Sequence, residues 1–224
     1  MPDVLDRARL IRALRAAAAR VRAEADALGR LDSVIGDGDH GVAMCRAMDA
    51  IEQTLDAAGA EPTDQSGATG DSRTAALLEA VAWAVMSIDA GSTGPLLGSL
   101  LLGMAEAAGP GGPIDAPRWA AMFAAGVEKL RGISGAGPGD KTMVDGLVPA
   151  AEALRRAADQ GAGIAEALRR AADAARQGAE DTRQWEAKFG KARNLGARSI
   201  GHADPGATSV AVWLAGLADG AAET

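Results

Sequence analysis

The sequence contains no tyrosine, two phenylalanines, four tryptophans and one cysteine. With β-branched residues also sparse and alanine very abundant, this composition argues against a sheet-rich fold and for an almost wholly helical one. The single cysteine, Cys45, excludes an internal disulfide and a cysteine-based structural zinc site, and its expected role is core packing. Positive charge is also short: 23 Lys and Arg against 30 Asp and Glu leave a net charge of -7. A nucleic-acid or anionic-membrane surface would need a basic patch, so neither partner is expected. No segment has about 18 uninterrupted apolar residues, and the N-terminal pattern is charged and amphipathic without an apolar signal core. A cytoplasmic protein is expected. Its 224 residues suit one domain, spanning 1–224, with a sizeable core.

What is present is helical periodicity punctuated by glycine. Val4, Ala8, Ile11, Leu14, Ala18, Val21, Ala25 and Leu28 recur at spacings of three and four and predict one long first helix. A second is expected from His40 to Ala58, with Gly59 to Asp71 as a flexible connection. A third runs to Ile88, a fourth from Pro95 to the "GPGGP" at Gly109 to Pro113, and a fifth from Pro117 to Leu130. Asp140 is placed to cap a sixth helix starting at Lys141, which Pro149 should kink. The octapeptide "EALRRAAD" occurs at Glu152 to Asp159 and at Glu166 to Asp173, where two amphipathic helices explain it better than a duplication. The seventh helix should end near Glu186 and an eighth should carry Val210, Trp213, Leu214 and Leu217. Trp83, Trp119 and Trp213 read as core.

In an up-and-down array, alternate connections lie at the same end. The first, third, fifth and seventh connections are the unusual ones: "LDSVIGDGDHG", "DAGSTGP", "GISGAGPGD" and "ARSIGHADPGA". They should share one rim, and both histidines, His40 and His202, fall in them. Asp32, Asp37 and Asp39 place three carboxylates at D-x4-D-x-D spacing. Such groups repel unless a cation or protons compensate, and magnesium suits oxygen ligands beside a phosphate. A plain turn remains the alternative for this motif alone. A calcium loop beginning at Asp37 would need a bidentate Glu at its twelfth position, where Met48 stands. Gly91, Ser92, Thr93 and Gly94 precede a helix, whose N-terminal N–H groups favour an anion. A metal cluster facing an anion site describes nucleotide phosphates held for transfer.

"LDSVIGDGDHG", "GSTGPLLGS", "PGDKTMVDGLVPA" and "LGARSIGHADPGATS" resemble, in order and spacing, the L subunit of dihydroxyacetone kinase, over essentially the whole chain. The resemblance implies an antiparallel eight-helix barrel with a nucleotide at one rim. It implies that Asp32, Asp37 and Asp39 hold two magnesium ions bridging the phosphates of ADP or ATP. His40, Ser92 and Thr93, with Gly91 allowing close approach, match phosphate and nucleotide contacts. Gly135, Met143, Lys191, Asp204, Pro205 and Gly206 match positions around the nucleoside. The ketose, dihydroxyacetone or a relative such as erythrulose, would be held covalently by a separate K subunit. A phosphotransferase-system protein recharging bound ADP, exchange of ATP as co-substrate, and a homodimeric state are all compatible with it. Ala43, Lys191, Asn194 and "DAGSTGP" depart from the commonest family pattern without removing a metal ligand. A nucleotide-loaded subunit docking to a transcription factor or sensor is the alternative reading, and the acyl-phosphate chemistry of fatty-acid kinases a third.

Overall fold

The structure, a computed structural model, describes residues 3–60, 70–109 and 114–222. Nine α-helices are present among these residues: α1 (Arg7–Ala23), α2 (Ala25–Ile35), α3 (His40–Ala60), α4 (Gly70–Met86), α5 (Thr93–Ala108), α6 (Ala116–Ser134), α7 (Val144–Asp159), α8 (Ile164–Asp181) and α9 (Pro205–Ala222). The only extended pairing among the described residues is a bridge between Leu5 and Ile114. Each helix packs on the next, and α9 closes on α1, so the helices form a ring in which α2 continues α1. None of the described helices is long and apolar enough to cross a membrane.

The expected first helix is therefore two. Glu24 leaves helical geometry (φ -98, ψ 3), and its N–H is shared between the Arg20 and Val21 carbonyls. The expected connections at Gly59–Asp71 and Gly109–Pro113 fall for the most part outside the described residues. The apolar faces of α1 to α9 meet in one core, with Trp119, Phe123, Leu78, Met48 and Leu10 almost wholly buried. Trp213 is core as well, but Trp83 is 51 % exposed on α4, against expectation. Cys45 also lies partly exposed on α3 rather than in the core. Helical periodicity assigns both to a face; the width of that face depends on how tightly the neighbours close.

Pro149 does not interrupt α7. Proline cannot donate to the carbonyl four residues earlier, and α8 crosses close to that Asp145 carbonyl: a Cβ on Gly178 would stand 2.0 Å from its oxygen. At the end of the ring away from the acidic loop, Asp3 accepts from the Ile164 N–H (2.8 Å) and so supplies the cap that Gly163 lacks. Arg9 donates to the Ala221 carbonyl (2.7 Å), joining the start of α1 to the end of α9.

Candidate functional site

The four loops singled out by parity surround one cavity of ≈ 830 Å³ at the other end of the ring. Its wall includes Asp32, Asp37, Asp39 and His40, then Gly91, Ser92 and Thr93, then Lys141 and Met143, and finally Lys191, Asp204, Pro205 and Gly206. Gly135 does not line it; this residue ends α6 in the left-handed conformation (φ 69), its N–H bonded to the Arg131 carbonyl. His202 does not reach the cavity wall either.

The carboxylates come from two kinds of backbone. Asp32 stands in the last turn of α2, not in the loop, and its Oδ2 accepts from the His40 N–H (3.2 Å), one of the donors a helix start leaves unmet. Gly36 leaves room for this carboxylate: a Cβ there would stand 2.1 Å from Asp32 Oδ1 and turn the side chain away. Asp37 and Asp39 are on the short connection to α3, with Gly38 between them at φ 80. One oxygen from each of the three carboxylates lies within 4.8 Å of the others. The Lys191 ammonium bonds to Asp37 and lies 3.8 Å from Asp39 Oδ2. Hard oxygen donors that already attract the chain's own cation fit a divalent ion such as magnesium.

Opposite, α5 begins at Thr93 after Gly91 (φ 54), with no acidic side chain in its first turn and no side-chain cap from Ser92. The Thr93 N–H is taken by the Ala90 carbonyl (3.1 Å) and Pro95 has none, so the donors this helix start offers to an anion are the Ser92 and Gly94 N–H groups. Arg46 of α3 donates to the Asp89 carbonyl (2.6 Å) and holds this loop beside the acidic one.

The third loop departs from expectation. Asp140 does not cap the sixth helical segment, and Lys141 does not begin it. α7 starts at Val144, and the carboxylate that organises the turn is Asp145, which accepts from Gly139 N–H (2.6 Å) and Thr142 N–H (2.8 Å). Asp140 instead accepts from Lys188 Nζ (2.8 Å) and from Gly137 N–H (2.7 Å), which hold its carboxyl below the ordinary range. Between α8 and α9 the chain makes a long excursion containing 3-10 segments Thr182–Gln184 and Lys191–Ser199, which brings Phe189, Lys191 and Asn194 to the cavity.

The floor of the site is buried and polar. Ser209 on α9 shares a hydrogen bond with His40 Nε2 (3.1 Å), and its hydroxyl also lies within hydrogen-bond distance of the Gly206 carbonyl (2.9 Å). Burial pushes the His40 pKa down, against the opposite pull of Asp32. Asp204 caps α9 by accepting from Ala207 N–H (2.7 Å), and burial raises its carboxyl to about 7. A carboxyl with a raised folded pKa binds its proton more tightly in the folded state, so stability falls as pH rises from about 4 to about 7. His40 contributes in the other sense, stability rising with pH up to its ordinary 6.5. Asp204→Asn is therefore expected to remove the first component alone. Thermal unfolding at several pH values checks this: the variant should gain on the wild type as pH rises from 5 to 7. A constant difference would contradict the assignment.

Lys141, Asp145 and Ser209 had no role in the sequence reading. Their one signal is that Lys141 and Asp145 fall within a glycine-rich loop and helix start, which reads equally as an ordinary cap.

Residues 34–219 match the DAK2 domain family. The chain is 32% identical, over 89% of its length and 90% of the relative's, to the PEP-dependent dihydroxyacetone kinase, ADP-binding subunit DhaL, of Escherichia coli K12. It is 37% identical over 86% of its length to the L-erythrulose 1-kinase of Mycolicibacterium smegmatis, of which it covers 32%. The crystal structure of the dihydroxyacetone kinase from C. freundii in complex with AMP-PNP and Mg2+ superimposes with a TM-score of 0.69 at 23% identity, covering 98% of this chain and 35% of that one.

Proposed function

Because the chain belongs to the DAK2 domain family, we propose that it is, as a single domain over 1–224, the nucleotide-binding subunit of a short-chain ketose kinase. It holds magnesium-bound ADP or ATP and passes a phosphoryl group to dihydroxyacetone or a related ketose on a separate K subunit. The observation that carries this reading is the juxtaposition, across one cavity, of the Asp32, Asp37 and Asp39 oxygens with the uncapped start of α5. Relatives named for dihydroxyacetone and for erythrulose support a ketose acceptor. A relative of matching length is a PEP-dependent enzyme's ADP-binding subunit, which supports a protein phosphoryl donor and a bound ADP.

Magnesium, as one ion or two, supplies neutralisation of the charge on the phosphoryl oxygens when bound. The residues of the chain do the rest. Asp32, Asp37 and Asp39 offer carboxylate ligands. The Ser92 and Gly94 N–H groups at the start of α5, with the Ser92 and Thr93 hydroxyls, orient the phosphates in line with the acceptor. His40, kept neutral by burial, adds a polar contact without a second fixed charge. Gly91, Met143, Lys191 and the Asp204-Pro205-Gly206 turn flank the nucleotide, with Gly135 setting the approach of the third loop. On this reading the cavity binds and positions phosphates, and the K subunit brings the acceptor to this rim.

The test is calorimetric titration of ADP into the purified chain, with magnesium and then with chelator. Tight binding that the chelator removes is expected. Equal binding under both conditions, or none under either, would overturn the site. Tight binding without phosphoryl transfer to any K subunit would favour the docking alternative.

A further inference from the structure

Lys141 is the one non-glycine residue among those described with a left-handed backbone (φ 60), and its side chain is almost wholly buried. Its ammonium donates to the Thr182 carbonyl (2.7 Å) and to the His202 carbonyl (2.5 Å). These two carbonyls stand at the two ends of the excursion between α8 and α9. Asp204 N–H closes the same junction by donating to Thr182 Oγ1 (2.7 Å), and Gly201 N–H donates to the Arg183 carbonyl (2.7 Å). An ammonium removed from water carries a desolvation cost that hydrogen bonds to neutral carbonyls only partly offset. Burial indeed pushes Lys141 below its ordinary pKa, while the Asp204 carboxylate acts against that shift.

The position of this clamp is informative. Lys141 is two residues before Met143, and Gly206 is packed so closely on Met143 that a Cβ on the glycine would stand 3.2 Å from the Met143 Cβ and 3.3 Å from its nitrogen. The turn Asp204-Pro205-Gly206 and the third loop therefore share a seam, and Lys141 binds both strands of the excursion beneath it. The three aspartates and the start of α5 lie on other elements, and neither makes a hydrogen bond to Lys141 among those described.

We infer that Lys141 is the positioning residue for the nucleoside side of the cavity, an inference that rests on the nucleotide reading above. By holding the Asp204-Pro205-Gly206 turn against the third loop it sets where Met143 and Gly206 stand, and so sets affinity for the nucleoside, while Asp32, Asp37, Asp39 and the start of α5 keep the phosphate and metal side. A purely structural lysine would be replaced without selectivity by an apolar residue of the same length.

The experiment compares Lys141→Met with wild type in calorimetric titrations of ADP and of inorganic pyrophosphate, both with magnesium, beside thermal unfolding and hydrogen exchange. The variant should lose about tenfold to 100-fold in ADP affinity, keep its pyrophosphate affinity, unfold cooperatively, and exchange faster at the Gly201 and Asp204 amides. Unchanged ADP affinity, or equal losses for ADP and pyrophosphate, overturns the inference. If Lys141→Met does not fold, Lys141→Arg keeps the charge with altered geometry, and the same ADP-selective loss is expected of it. Wild type that binds neither ligand overturns the nucleotide reading itself, and this inference with it.

Discussion

Asp37→Ala is expected to lose magnesium-dependent ADP binding by roughly 100-fold or more, with thermal unfolding almost unchanged. The variant removes one of three carboxylates converging within 4.8 Å, and with it most of the attraction for a divalent ion. Stability should hardly respond, because the Asp37 and Lys191 side chains are 43% and 61% exposed, and ion pairs in such positions contribute about 0–1 kcal/mol. Removing a mutually repelling carboxylate acts in the stabilising direction as well. Asp32→Ala would be a poorer probe of the same site. Its Oδ2 also accepts the His40 N–H at the start of α3, so the loss of a helix cap, about 1 kcal/mol, would be mixed with the loss of a ligand. Calorimetric titration beside a melting curve separates the two effects, and an Asp37→Ala protein that still binds ADP only with magnesium would remove the three-aspartate assignment.

The second large effect involves no ligand. Gly41, in the first turn of α3, lies against the backbone of α2: a Cβ there would stand 2.1 Å from the Ala25 carbonyl oxygen and 3.1 Å from the Gly29 nitrogen. Neither atom can move without shifting the helix. Gly41→Ala should therefore push α2 away from α3 at a cost of about 2–3 kcal/mol, lowering the melting temperature by roughly 5–10 °C. It should also separate Asp32 on α2 from Asp37 and Asp39, weakening magnesium-dependent ADP binding about tenfold or more. Gly59, near the other end of the same helix, has open space where its Cβ would be. Gly59→Ala should thus raise stability by up to about 1 kcal/mol through helix propensity. Opposite signs for one substitution on one helix test the packing account directly; two variants that melt alike would contradict it.

The ring and the shared rim of its four glycine-rich loops were legible because they depend on quantities a sequence carries: helical period, the number of connections, and which of those connections hold carboxylates and glycine. The all-α architecture and the order of the helices followed from that, as did the convergence of four loops on one cavity. What was not legible depends on neighbours distant in the chain. Glutamate favours helix, and nothing in its surroundings in sequence marks Glu24 as a break; the bend places α2 against Gly41, seventeen residues later. The cap assigned to Asp140 failed for a related reason. Asp140 and Asp145 both stand near the start of α7, and the choice between them is made by Lys188, which bonds Asp140, and by the left-handed turn at Lys141. The exposure of Trp83 likewise reflects how far the neighbours of α4 cover it, not its own helical phase.

The bond from Arg9 to the Ala221 carbonyl, at the end of the ring away from the cavity, has a practical corollary. The beginning of α1 and the end of α9 are neighbours there. A tag, reporter or second catalytic module appended at either point would project from the floor of the cup rather than its mouth. The same adjacency makes circular permutation geometrically feasible, since a short linker could join the two ends. A partner arriving with the acceptor would still find the rim unobstructed.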